Sequence, residues 1–292
     1  MLGMLSGGVK AQDSASFYPS RAWLIGSSGA VIAGGTLVGL SQVWYREEPM
    51  EAFHLFDDNS SWLQMDKVGH TMTAYYMGNM GIKAMQWTGT KRKKAIWIGG
   101  LYGFAYLSAI EVLDGFSSEW GFSVGDMAAN AAGSALAISE QLLWDEQRIF
   151  MKYSAQFTDY AQYRPAVLGS SAMERLLKDY NGQTYWLSVN VSSWFREKPK
   201  WLPAWINIAA GYGVDGLTGG EANIAFTDNG FPVPNFKRQR QFYLSLDLDL
   251  TRIPTNSKVL RTCFDLLSFV KFPAPALEIK SGGVVKGHWI YF

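Results

Sequence analysis

The chain has 292 residues, of which 17% are charged and 15% aromatic, with 12 Trp and a net charge of +1. That composition, with a mean hydropathy of -0.03, excludes a disordered chain and does not suit a polytopic helical membrane protein. The near-neutral charge gives no footprint for nucleic acid. The aromatic richness suits a protein at an interface, membrane-associated or in the outer membrane.

The N-terminal stretch 1–20 reads as a signal remnant or a disordered tail. Its Val9-Lys10-Ala11 before Gln12-Asp13-Ser14 resembles the end of a secretory signal cleaved after Ala11, but a basic n-region and a full apolar run are missing. No Cys stands at that cleavage point, so a lipoprotein anchor is not expected there.

A helical domain is expected over residues 21–148. Arg21 to Tyr45 is long and apolar enough to span a bilayer. Its Gly35 and Gly39 form a GxxxG pair that would allow close helix approach. A buried core helix is the alternative, and Glu47-Glu48-Pro49 ends the segment. Residues 50–65 read as a loop with amphipathic pieces, with Asp57-Asp58-Asn59-Ser60 as turn or cap chemistry.

Three further helices are expected, over about 66–87, 93–113 and 123–148. Lys91-Arg92-Lys93-Lys94 is the one basic run, a solvated helix start or a headgroup contact. Ser123 is a good N-cap, with Asp126 three residues on in the acidic position of a capping box. Met72, Met77, Met80 and Met85 sit in an apolar helix and read as core packing.

A β-rich domain is expected over 149–292. Phe242, Leu244, Leu246, Leu248 and Leu250 alternate with Tyr243, Ser245, Asp247 and Asp249. Tyr185, Leu187, Val189 and Val191 alternate likewise with Trp186, Ser188, Asn190 and Ser192. Strict period two gives strands with one apolar and one polar face. Further strands are expected at 149–159, 203–213 and 284–292, with short helices at 171–179 and 259–270. The single Cys263 rules out an internal disulfide and reads as a buried, inert thiol in the last of these helices. Five or six strands are few for a closed membrane barrel, which starts at about eight. An outer-membrane β-structure and an antiparallel sheet covered by helices both fit. The fold class is α+β: a bundle of about four apolar helices, then an antiparallel β-rich region, membrane-associated.

The chemistry-bearing residues lie between Asp66 and Asn130. Asp66 and His70 are four apart and share a helix face, as do Asp126 and Asn130, with Gly133 and Ala137 continuing that face. Glu111 and Asp114 are three apart. If the helices pack with these faces inward, His70, Glu111, Asp126 and Asn130 converge in one polar pocket. A His with two carboxylates is the minimum for acid–base or metal chemistry. Zinc-helix spacing, a nucleophile elbow and a phosphate-binding glycine loop are all absent. Metal binding stays open, and no cofactor is called for. The alternative is a buried hydrogen-bond network that fixes helix packing. His54 near Asp57 and Asp58 reads as a loop residue in water, with a metal ligand as the alternative. His288 reads as interfacial.

Asp66-Lys67-x-x-His70, Glu111-x-x-Asp114-Gly115-Phe116, Gly121-Phe122-Ser123-x-x-Asp126 and Asn130-x-x-Gly133 together resemble the uncharacterised YfiM-like family of envelope lipoproteins. They are more remotely similar to VanZ-like membrane proteins. The resemblance covers about residues 60–140 and implies a cell-envelope location, at the outer membrane or its periplasmic face, with no established reaction. The long β-rich region and the missing lipobox depart from that family. The expected role is non-enzymatic, a structural or accessory subunit of an outer-membrane complex that touches membrane lipid and protein partners. The alternative is a membrane-embedded enzyme on lipid or peptidoglycan precursor, with His70 as acid–base, Glu111 and Asp126 as its partners or metal ligands and Asn130 as a substrate or oxyanion donor.

Overall fold

A computed structural model describes residues 16–44, 50–197 and 199–292. The expectations for Val9-Lys10-Ala11 before Gln12-Asp13-Ser14 and for Glu47-Glu48-Pro49 lie outside the described residues. The chain forms two units. One takes the chain up to Phe56 together with Thr73–Asp145, and the other takes Asp57–Met72 together with Glu146–Phe292.

The first unit is helical. Its α1 (Pro19–Trp44) contains Pro19–Gly39, long and apolar enough to cross a membrane, with none of its residues fully buried. Among the described residues, Gly35 and Gly39 have nothing within 4 Å. The helix is instead tied at its start. The Tyr18 N–H donates to the Thr88 carbonyl at 2.9 Å, Arg21 Nη1 donates to the Trp87 carbonyl at 3.1 Å, and its guanidinium lies over the Tyr18 ring.

Next come α2 (Met65–Trp87), α3 (Arg92–Gly100), α4 (Tyr102–Asp114) and α5 (Val124–Leu143). The helix expected without interruption over 93–113 is therefore two, broken at Leu101. Glycine is the reason. A Cβ on Gly99 would run into the backbone of Gly81, and one on Gly103 into the backbone of Ala74. Helix backbones touch only where side chains are missing, and the Gly99-Gly100 pair that permits contact also weakens the helix.

Residues 50–56 form a clasp over the α4–α5 connection. The His54 N–H donates to the Gly115 carbonyl at 2.9 Å, and Phe122 N–H donates back to His54 at 3.0 Å. The Phe53 ring packs on Phe116 and Phe122.

The second unit is built on β1 (Ile149–Ala155), β2 (Gln183–Asn190), β3 (Ile206–Asp215), β4 (Gln239–Leu248), β5 (Ala274–Lys280) and β6 (Val285–Tyr291). They pair in chain order, each antiparallel to the next. Short helices α6 (Pro165–Leu168) and α7 (Ala172–Lys178) lie between β1 and β2, and α8 (Lys258–Leu267) between β4 and β5. The edge of β1 is partly occupied: Tyr153 N–H donates to the Phe269 carbonyl at 2.7 Å and Lys271 N–H to Tyr153 at 2.9 Å.

The register puts Lys152, Trp186, Gly211, Tyr243 and Glu278 in one row across the sheet, and Leu187, Ala210, Leu244 and Leu277 in a row on the opposite face. The first face is the buried one. Trp186 is 1% exposed, Lys152 and Asp247 each 1%, whereas Leu244 and Leu246 are each 54% exposed. Gly211 leaves the room that Trp186 fills, and Tyr243 stacks on Tyr291 at 4.5 Å. The sheet therefore turns its polar face inward.

At the Asp215 end of β3 the sheet is met by residues 57–72. Trp62, Leu63 and Gln64 all have positive φ, a left-handed turn that costs strain in residues with a Cβ. It is pinned on several sides. Trp62 N–H donates to the Gly220 carbonyl at 2.9 Å, Arg240 Nη2 donates to Gln64 Oε1 at 2.6 Å, and Tyr212 donates to the Leu63 carbonyl. Met65 then packs with Val214 and Leu217 in a small core.

Candidate functional site

Of the sequence-predicted residues, Glu111, Asp114, Asp126 and Asn130 belong to the helical unit and Asp66 and His70 to the β-rich unit. In the helical unit, Glu111 stands in the last turn of α4, and Ser123 caps α5. The Ser123 N–H donates to Glu111 Oε2 at 3.3 Å. The Ser123 hydroxyl accepts from the Asp126 N–H at 3.1 Å. Glu111, Ser123, Asp126 and Asn130 are all buried. The Asp126 charge sits in the first turn of α5, where the helix dipole favours it. Glu111 thus joins the end of one helix to the start of the next through the cap.

The same face of α5 runs on through Gly133 and Ala137 to Glu140, a buried carboxylate that the sequence reading passed over. Tyr75 of α2 donates to Glu140 Oε2 at 3.4 Å. Burial first, and then the Glu140 charge, hold the Tyr75 hydroxyl well above the usual tyrosine range, so it stays a donor. Ser134, on an adjacent stripe of α5, accepts from the Phe104 N–H of α4 at 3.1 Å. The signal for Glu140 was present: three residues beyond Ala137 continues the helical face.

Asp114 ends α4 ahead of Gly115, which presses on the Phe53 ring. His54 is no solvated loop residue. It is half-buried in the clasp, with Nε2 2.7 Å from the Trp120 carbonyl, because the backbone pairing of residues 54–56 draws its ring over the α4–α5 connection.

In the β-rich unit, Asp66 and His70 lie on the first two turns of α2. His70 Nε2 is 3.9 Å from Asp66 Oδ1, and Lys67 bridges to Asp58 at 2.6 Å. Tyr180 donates to Asp66 Oδ1 at 3.1 Å, which fixes the carboxylate from the sheet side. An imidazole beside an oriented carboxylate is able to hold a proton or offer a metal two donors.

A buried ionic group lies elsewhere in this unit. On the inward face of the sheet Lys152 meets Asp247 at 2.7 Å, with Lys271 at 4.0 Å on its other oxygen. Ser188 donates to Asp247 Oδ2 at 2.7 Å, and Asn207 donates to Ser188 at 2.9 Å. Burial lowers the Lys271 ammonium to about 8, against the pull of Asp247. The alternation marked Asp247 as polar; nothing in it marked Lys152 and Lys271 as its partners.

No curated protein and no solved structure matches the chain. Residues 54–141, which hold His54, Asp66, His70, Glu111, Asp126 and Asn130, match the family described as "Predicted periplasmic lipoprotein (DUF2279)", in agreement with the envelope-lipoprotein resemblance expected over about residues 60–140.

Proposed function

We propose that the chain is a non-enzymatic protein of the cell envelope, a structural or accessory subunit of an outer-membrane assembly, related in its helical part to the YfiM-like and more distantly the VanZ-like proteins. One observation carries the reading. Glu111, one of the candidate catalytic residues, is engaged in joining α4 to the cap of α5. Buried groups paired in this way rigidify and specify packing. The exposed apolar α1 supplies an attachment to a membrane.

The test is a pair of variants, His70→Ala and Glu111→Gln, in the native host. Protein level, envelope fractionation, partner recovery in detergent and the phenotype of a deletion are read together. Loss of the Glu111→Gln protein, with a stoichiometric partner recovered by the wild type, supports the proposal. Normal accumulation of both variants with the deletion phenotype would refute it. One observation favours a second reading, an enzyme on lipid or peptidoglycan precursor: His70 stays partly exposed beside an oriented Asp66.

A further inference from the structure

The outward face of the sheet is uncharged as well as apolar. On β3, β4 and β5 no charged side chain stands outward until Arg240, at the pinned end, where it bonds Gln64. Ile208, Leu244, Leu246 and Leu277 are left largely exposed. The ionic groups Lys152, Asp247, Lys271 and Glu278 are all on the buried side. A sheet organised by water does the opposite. Apolar outward and polar inward, residue by residue, is the pattern of strands that face hydrocarbon. From Ile206 to Tyr212 the outward face runs about 20 Å along the strand. A face of that height fits against acyl chains without requiring six strands to close a pore.

A second element carries the same arrangement independently. Along α8, Val259, Leu260, Cys263, Leu266 and Leu267 fall on one side, and Lys258, Arg261, Thr262 and Asp265 on the other. The apolar side points away from the protein: Val259 is 72% and Leu266 67% exposed. A short helix with a basic polar edge and a bare apolar side suits the headgroup–acyl boundary. Arg261 Nη1 donates to the Thr251 carbonyl at 3.2 Å and holds the helix just beyond the end of β4.

We infer that the outward face of β3–β5 and the apolar side of α8 rest against the acyl chains of a lipid bilayer. The complementarity is one of charge. The protein surface offered there has none, and the only abundant envelope phase with none is hydrocarbon. The inference rests on the envelope reading above and deepens it by naming the β-rich unit's partner.

Cys263 is the sole cysteine, exposed, and lies within the apolar side of α8, so the natural chain carries its own probe. Full-length protein would be reconstituted into phosphatidylethanolamine–phosphatidylglycerol vesicles with an environment-sensitive fluorophore on Cys263. In a Cys263→Ser background the same label would be placed by Ile208→Cys and Leu246→Cys, outward, and by Ser245→Cys, inward. The expected result is blue-shifted emission at 208, 246 and 263, lost to a quencher attached to acyl chains and untouched by aqueous iodide. Position 245 should be shielded from both. Quenching of 208 and 246 by iodide would overturn the inference by placing the face in water. Protection from both quenchers would overturn it by placing protein there, including a second copy. Either failure, with the chain still recovered in the envelope fraction, leaves the accessory reading standing. Absence from that fraction would refute the accessory reading instead.

Discussion

Tyr75 and Glu140 meet at 3.4 Å in the interior of the helical unit, one from α2 and one from α5, with neither side chain appreciably exposed. An aromatic donor and a carboxylate are thereby removed from water together. Removing the donor takes one hydrogen-bond partner from a buried carboxylate. Tyr75→Phe should therefore destabilise by about 1–3 kcal/mol, read as a fall in the thermal midpoint of the purified protein. Glu140→Gln, which keeps an acceptor oxygen, should cost less. If Tyr75→Phe melts with the wild type, the contact contributes nothing.

The N-cap of α5 offers a second test. Ser123→Ala removes the hydroxyl that accepts from Asp126 and should cost about 1 kcal/mol, as N-cap losses do. Glu111→Gln should add to that loss by less than its effect alone, because both act on the same cap. A double-mutant cycle on unfolding midpoints measures the coupling, and strict additivity would contradict the shared role.

Glycine positions separate contact from propensity. Gly103→Ala places a methyl into the backbone of Ala74 and should destabilise by about 1–3 kcal/mol, the cost of overpacking. Gly35→Ala in α1 meets nothing and should be neutral or stabilise by up to about 1 kcal/mol through helix propensity. The prediction fails if the two substitutions have the same sign.

Lys271 gives a pH signature. Its proton leaves the folded chain at about 8 and the unfolded chain at about 10.4. Between those values the unfolded state binds more protons, so stability should rise with pH from about 8 towards 10. The contribution is absent above both values and falls to its least favourable below 8, where the charged form must stay buried. Lys271→Met should flatten that rise. Unfolding midpoints at pH 7.5, 8.5 and 9.5 decide it, and a variant with the wild-type slope would show that another group is responsible.

The sheet and the helices were legible in the sequence for different reasons. Period two in Phe242–Leu250 marked β4, because alternation survives whichever face is buried. It could not tell which face that is, and the inward face proved to be the one with Asp247 and Ser245. β5 escaped because Pro273 and Pro275 break its pattern at the start, leaving only Leu277 and Ile279 to alternate. The α3–α4 break was hidden by uniform apolarity, because the backbones of Gly81 and Ala74 that Gly99 and Gly103 must meet lie on a different helix. Glu111, Asp126 and Asn130 stood out as polar residues in apolar helices. Glu140 did not, because an acidic residue near a helix end looks ordinary until its partner Tyr75 is known.

The inward placement of Lys152, Asp247 and Lys271 bears on how the β-rich unit comes to be made. Collapse in plain water would gather Leu244, Leu246 and Ile208 and leave the ionic residues outside, the reverse of the native arrangement. Refolding from denaturant should therefore yield native sheet in proportion to the amphiphile supplied, and precipitate without it.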